Sequence, residues 1–113
     1  MVRVEIVKSL FEEIEKVFKK DATKIFDLIE TVANSPNKGS VVGSVGGIVI
    51  KELKYGGYRF YFLVDGFKLK FIDLEGLQDL LLSFVRMSNK KHQQKVIAEI
   101  RQVLIKIGPK GFE

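Results

Sequence analysis

Gly47–Asp73, GIVIKELKYGGYRFYFLVDGFKLKFID, decides the fold. β-Branched and aromatic residues flank Gly56-Gly57 and Asp65-Gly66. Such dipeptides mark two-residue hairpin turns because they accept the positive φ these turns need. Two-residue turns at both places set a register. Across the first, Tyr55 faces Tyr58, Lys54 faces Arg59, Leu53 faces Phe60 and Glu52 faces Tyr61. Across the second, Val64 faces Phe67, Leu63 faces Lys68, Phe62 faces Leu69, Tyr61 faces Lys70 and Phe60 faces Phe71. Strand side chains alternate between faces. One face therefore collects Val49, Leu53, Tyr58, Phe60, Phe62, Val64, Phe67, Leu69 and Phe71, and is expected to pack on helices. The other collects Glu52, Lys54, Arg59, Tyr61, Lys68 and Lys70. Cations around an aromatic ring suit a nucleic acid, whose phosphates and bases are met by those two groups. A solvated antiparallel face also carries Lys and Glu as a matter of course, so both accounts stay open.

Upstream, Val2, Val4 and Ile6 alternate with Arg3 and Glu5, which predicts a short half-buried strand. Ser9 followed by Glu12 is a capping-box pattern, and Leu10, Phe11, Ile14, Val17 and Phe18 then recur at helical spacing. Asp21 can cap a second helix whose inner stripe is Ala22, Ile25, Phe26, Ile29, Val32 and Ala33. Asn34-Ser35-Pro36 stops it, leaving a helical hairpin. The stretch 37–47, NKGSVVGSVGG, holds four glycines but does not match the phosphate-cradling G-x-x-x-x-G-K-[ST] pattern, because Lys38 precedes the glycines. It is expected to be a loop.

Downstream, LEGLQDLLLSFVRM at 74–87 fits a helix through Leu77, Leu80, Leu81 and Phe84, and fits a buried strand through LLLSFVR. Periodicity does not separate the two. Ser88 or Asn89 then caps a last helix with Val96, Ile97, Ile100, Val103, Leu104 and Ile107 inward, ended by Gly108-Pro109. Lys90, Lys91, His92 and Lys95 crowd its first turns. Exposed cations there oppose the helix dipole at a cost of about 0.3–1 kcal/mol each. Residues held against a local preference are candidates for function, although a solvated basic end is the simpler account.

A chain of 113 residues with 46% hydrophobic content predicts one domain over 1–113 with one real core. The absence of cysteine excludes disulfides, thiol nucleophiles and thiolate metal sites. With His92 as the only histidine, neither a histidine-built zinc centre nor any other metal or cofactor is expected. No apolar run reaches the length of a membrane span and the start is too charged for a signal peptide, so the expectation is a cytoplasmic protein with no membrane partner. The net charge of +5 is unevenly placed: residues 1–34 hold six basic and seven acidic side chains, residues 35–113 hold thirteen and seven. That asymmetry points to one basic face.

Strand, helical hairpin, three- or four-stranded antiparallel meander, terminal helix: this α+β order resembles the RelE/HigB/ParE toxin superfamily. KELKYGGYRFYF (Lys51–Phe62) resembles its "ELR…YR.yY" hairpin. LLSFVRMSNKKHQQKVIAEI (Leu81–Ile100) resembles its late "ll.F.KKs.k" strand and last helix. The resemblance implies the toxin component of a toxin–antitoxin system, a ribosome-dependent messenger RNA endonuclease held silent by a cognate antitoxin. By that likeness Arg59 would bind the scissile phosphate, Arg86 would meet charge developing in the transition state, and His92 would protonate the leaving 5′-oxygen. Lys54 would contact the RNA backbone, as would Tyr61, Lys68, Lys70, Lys90 and Lys91 from their places on the basic surfaces. Ile50 and Glu52 stand where RelE-type members carry basic residues, which leaves Glu52 or Lys54 as the candidate base, or no base. ParE-like members share the fold and act on DNA gyrase without nuclease chemistry, and a binding-only protein is the alternative.

Overall fold

The computed structural model describes residues 2–35 and 37–108. The chain is α+β. In order it forms β1 (Arg3–Ile6), α1 (Lys8–Phe18), a 3-10 turn (Lys19–Asp21), α2 (Ala22–Asn34), β2 (Ser40–Val45), β3 (Ile48–Tyr55), β4 (Tyr58–Asp65), β5 (Lys68–Ile72), α3 (Leu74–Met87) and α4 (Lys90–Ile107). The sheet has five strands in the order β1-β5-β4-β3-β2. β2 to β5 form an antiparallel meander, while β1 joins in parallel beside β5, with Arg3 opposite Lys68 and Glu5 opposite Lys70. The expected antiparallel sheet of three or four strands is thus corrected to a mixed sheet of five.

The extra strand comes from the glycine-rich stretch. Gly46 and Gly47 have φ of 59° and 83°, and they close a third two-residue hairpin with Val45 opposite Ile48. Positive φ at both central residues matches the twist of the flanking strands. Gly43 sits in β2 because α4 approaches so closely there that an added Cβ would lie 2.7 Å from Val103 Cγ2.

The first hairpin has the expected register, Tyr55 opposite Tyr58 through Glu52 opposite Tyr61. The second does not. Its turn is Gly66-Phe67, so Asp65 faces Lys68, Phe62 faces Phe71 and Tyr61 faces Ile72. Partners shift by two residues, which conserves faces because the side-chain period is two. Phe67 moves out to the turn and is 80% exposed. Tyr58 also leaves the expected core: it is 52% exposed, with its ring edge-on to Phe18 at 4.7 Å.

Leu10, Ile14, Ile25, Ile29 and Val32 of the helical hairpin bury Leu53, Phe60, Phe62, Leu69 and Phe71. Phe62 and Phe71 stack at 4.6 Å in its centre. The capping box does not form. Val7 is the residue before α1, placing Ser9 inside the first turn, and Glu12 reaches Lys8 at 3.9 Å. Asp21 makes no side-chain cap either and pairs with Lys24 at 3.6 Å. α2 ends at Asn34; the expected stops at Pro36 and Pro109 lie outside the described residues.

The larger correction concerns the second face, expected to be wet. α3 and α4 cover it, burying Ile50, Tyr61, Leu63 and Ile72 against Leu77, Leu81, Val103 and Ile107. Segment 74–87 is a helix: Asp73 caps it by accepting from the Gly76 amide at 2.9 Å, and Leu77 and Leu81 fall on one buried stripe. Asn89 caps α4 as expected, accepting from the His92 amide at 3.0 Å, and Gly108 at φ 79° ends it. Among the described residues no helix is long and apolar enough to cross a membrane.

Candidate functional site

The β3–β4 hairpin gathers four polar side chains at one end of the sheet. Lys54 faces Arg59 across the ladder and Glu52 faces Tyr61, so all four project from the same side. Glu52 is only 8% exposed. Its carboxylate lies 3.6 Å from the Arg59 guanidinium and 3.9 Å from Lys54 Nζ, which leaves the cluster with a net positive charge. Arg59 is 48% exposed and Lys54 more so. Cations at the rim thus screen an acid at the base.

Tyr61, expected on the wet surface, is 5% exposed beneath α3 and α4. Burial pushes its hydroxyl above the ordinary tyrosine range, the Glu52 carboxylate adds to that rise, and Arg59 opposes it. Tyr61 therefore keeps its proton at neutral pH. Its protonated hydroxyl lies beneath the cluster and not on a solvent-facing platform for a base.

Beside Arg59 the sheet has a notch. β5 pairs with β4 only from Ile72 opposite Tyr61 onward, so Tyr58, Arg59 and Phe60 run past its end. A pocket of about 110 Å³ occupies this place, with Glu13 and Val17 of α1, Tyr58, Arg59 and Asp73 among its lining.

The other expected contacts lie elsewhere. Lys68 and Lys70 flank Glu5 near the Gly66 turn, at the opposite end of the strands, with Lys68 Nζ 3.1 Å from the Glu5 carboxylate. That bond, with Lys68, Arg3 and Lys70 charges around it, holds the Glu5 carboxyl below its ordinary value. Arg86 is exposed in the last turn of α3, where the resemblance implies a strand, and Lys90, Lys91 and His92 are exposed at the start of α4. Leu74, which opens α3, lines the pocket beside Arg59, whereas the Phe84 ring lies against Gly46 at the far turn. At 1.5 Å per residue, Leu74 and Arg86 are about 18 Å apart along the helix. The structure brings together Arg59, Lys54 and Tyr61, and separates them from Arg86 and His92.

Asp73 is the neighbour that sequence reasoning missed; its signal was an Asp three residues before Gly76, at the edge of a segment whose type periodicity left open. Among the described residues no three His, Cys, Asp or Glu side chains cluster as a metal ion would require. What the cluster can do is hold an anion on Arg59 and Lys54 beside a carboxylate able to take a proton. No family model, curated protein or solved structure matches the chain.

Proposed function

We propose that the chain is the toxin component of a toxin–antitoxin pair with a RelE/HigB/ParE-like fold, and that it cuts messenger RNA on the ribosome. One observation carries this: the hairpin that bears the resemblance, Lys51–Phe62, is also where Arg59, Lys54, Glu52 and Tyr61 converge. The element order from β1 through the helical hairpin to the meander supports it too. In the reaction a ribose 2′-oxygen attacks the adjacent phosphorus and the bond to the 5′-oxygen breaks, giving a 2′,3′-cyclic phosphate and a 5′-hydroxyl. Arg59 and Lys54 hold the phosphate as charge builds on it. Glu52 takes the 2′-hydroxyl proton, and the leaving oxygen draws one from solvent. The partners of this reading are the ribosome with its messenger and a cognate antitoxin, in the cytoplasm, without a cofactor.

A second reading has its own support. The distance of Arg86 and His92 from Arg59 leaves the hairpin cluster without the acid that the resemblance assigns, which favours a protein that binds gyrase or RNA without cutting it. Adding the purified protein to a cell-free translation mixture decides between them. Discrete cuts within translated messenger carry the nuclease; intact messenger with loss of gyrase supercoiling, or RNA bound and uncut, carries the alternative.

A further inference from the structure

The hairpin cations and the corner cations differ in one respect. Lys54, Arg59 and Lys68 each hold a carboxylate of the chain itself. Arg86, Lys90, Lys91, His92 and Lys95, gathered where α3 turns into α4, are all exposed, and among the described residues none makes an ion pair. Glu99 stands four residues beyond Lys95 and does not reach it. Lys91 and Lys95 share a helix face at a spacing where like charges repel. The first turn of α4 holds no acid at all, although acids are the side chains a helix start favours.

The corner is also braced without using these cations. Asn89 accepts from the His92 amide at 3.0 Å, and the Ser88 hydroxyl donates to the Val85 carbonyl at 2.8 Å. The backbone of the corner is thus fixed while its charges repel one another and are uncompensated, which is the electrostatic footprint of a polyanion surface.

The geometry points to the α3–α4 corner as a separate anchor for the RNA phosphate backbone, read without regard to sequence, in which Arg86 and His92 bind and take no part in bond cleavage. This rests on the RNA reading above and assigns a second contact to it, at the opposite end of the sheet from Arg59. Its charges lie too far from the hairpin cluster to touch the same phosphate, so a strand contacting both must span the sheet.

The test is binding of the full chain to a fluorescently labelled single-stranded RNA of mixed sequence, followed over a range of salt. For the Lys90→Gln, Lys91→Gln, Lys95→Gln triple variant, affinity at about 0.1 M salt should fall at least about tenfold, and the salt slope should drop by about 0.7 for each phosphate no longer neutralised. Its melting temperature should equal or exceed that of the unmodified chain, since repulsion has been removed. Arg59→Ala, which removes a single phosphate contact at the other end of the sheet, should lower the slope by only about 0.7. In the translation mixture the triple variant should raise the messenger concentration needed for half-maximal cutting and spare the maximal rate. A triple variant that binds as the unmodified chain does overturns the anchor, as does tighter binding to anionic phospholipid vesicles than to RNA. Messenger still cut in that case leaves the nuclease standing while the anchor falls.

Discussion

The guanidinium of Arg59 lies 3.6 Å from the carboxylate of Glu52, an acid almost wholly buried beneath its half-exposed partner. Such a pair sets the resting position of Arg59 and opposes any anion that approaches it. Glu52→Gln removes that opposition and the candidate base together. RNA affinity should rise, while messenger cutting falls by about 10²–10⁴, the usual size of acid–base contributions. Binding and cutting measured side by side check both directions; cutting at the original rate would remove Glu52 from the chemistry.

The buried hydroxyl of Tyr61 makes stability sensitive to alkali. Its folded pKa lies above the unfolded value of about 10. A raised value means that the folded state holds the proton more tightly, so this contribution is full below about pH 10 and is lost as pH climbs through the folded value. Spectrophotometric titration should show one tyrosine ionising late, and Tyr61→Phe should abolish that component.

Core and turn phenylalanines should part sharply. Phe62 is fully buried against Phe71, and Phe62→Ala should cost about 3–5 kcal/mol. Phe67→Ala, at the exposed turn, should stay within about 0.5 kcal/mol. Chemical denaturation of both variants checks this, and a costly Phe67→Ala would restore the register with Phe67 in the core.

That register shows how far the sequence could be read. The dipeptide Asp65-Gly66 announced a turn, but the positive φ falls on Gly66 as its first central residue, and Phe67 takes the second. Because the slip was by two residues, Phe60, Phe62, Leu69 and Phe71 still faced the helices. The second layer was much less legible. Tyr61 alternates with Phe60 and Phe62 and so looked wet, and only the placement of α3 and α4 decides that Ile50, Tyr61 and Leu63 are covered. Strand periodicity assigns sides and says nothing of what lies over them. β2 escaped for a local reason: glycines at 43, 46 and 47 mimic a loop, although one serves a close helix contact and two serve a turn. Arg59 and Lys54 were legible as neighbours from the hairpin alone. Their separation from Arg86 was not, because it depends on whether 74–87 is a strand beside them or a helix leading away.

The helical cover over the second face has its own test. Gly43→Ala drives a methyl group into Val103 and should destabilise the fold by about 1–3 kcal/mol. Gly57→Ala, where an added Cβ meets nothing within 4 Å, should cost far less. Val103→Ala in the Gly43→Ala background should recover part of the loss, a coupling that thermal melts of the double-mutant cycle would reveal. Additive losses would mean that α4 does not press on β2 there.

The central claim rests on Arg59, and messenger cleavage in a translation mixture by Arg59→Ala tests it most directly. Its side chain is half-exposed and outside both cores but pairs with the buried Glu52 carboxylate, so Arg59→Ala should melt lower yet stay folded, whereas Phe60→Ala as a core control should unfold the domain. Removing a preorganised donor to the scissile phosphate costs about 10²–10³ in rate. The account predicts a folded Arg59→Ala protein whose cutting is reduced by about that factor. A folded Arg59→Ala protein that cuts messenger as fast as the unmodified chain would contradict it.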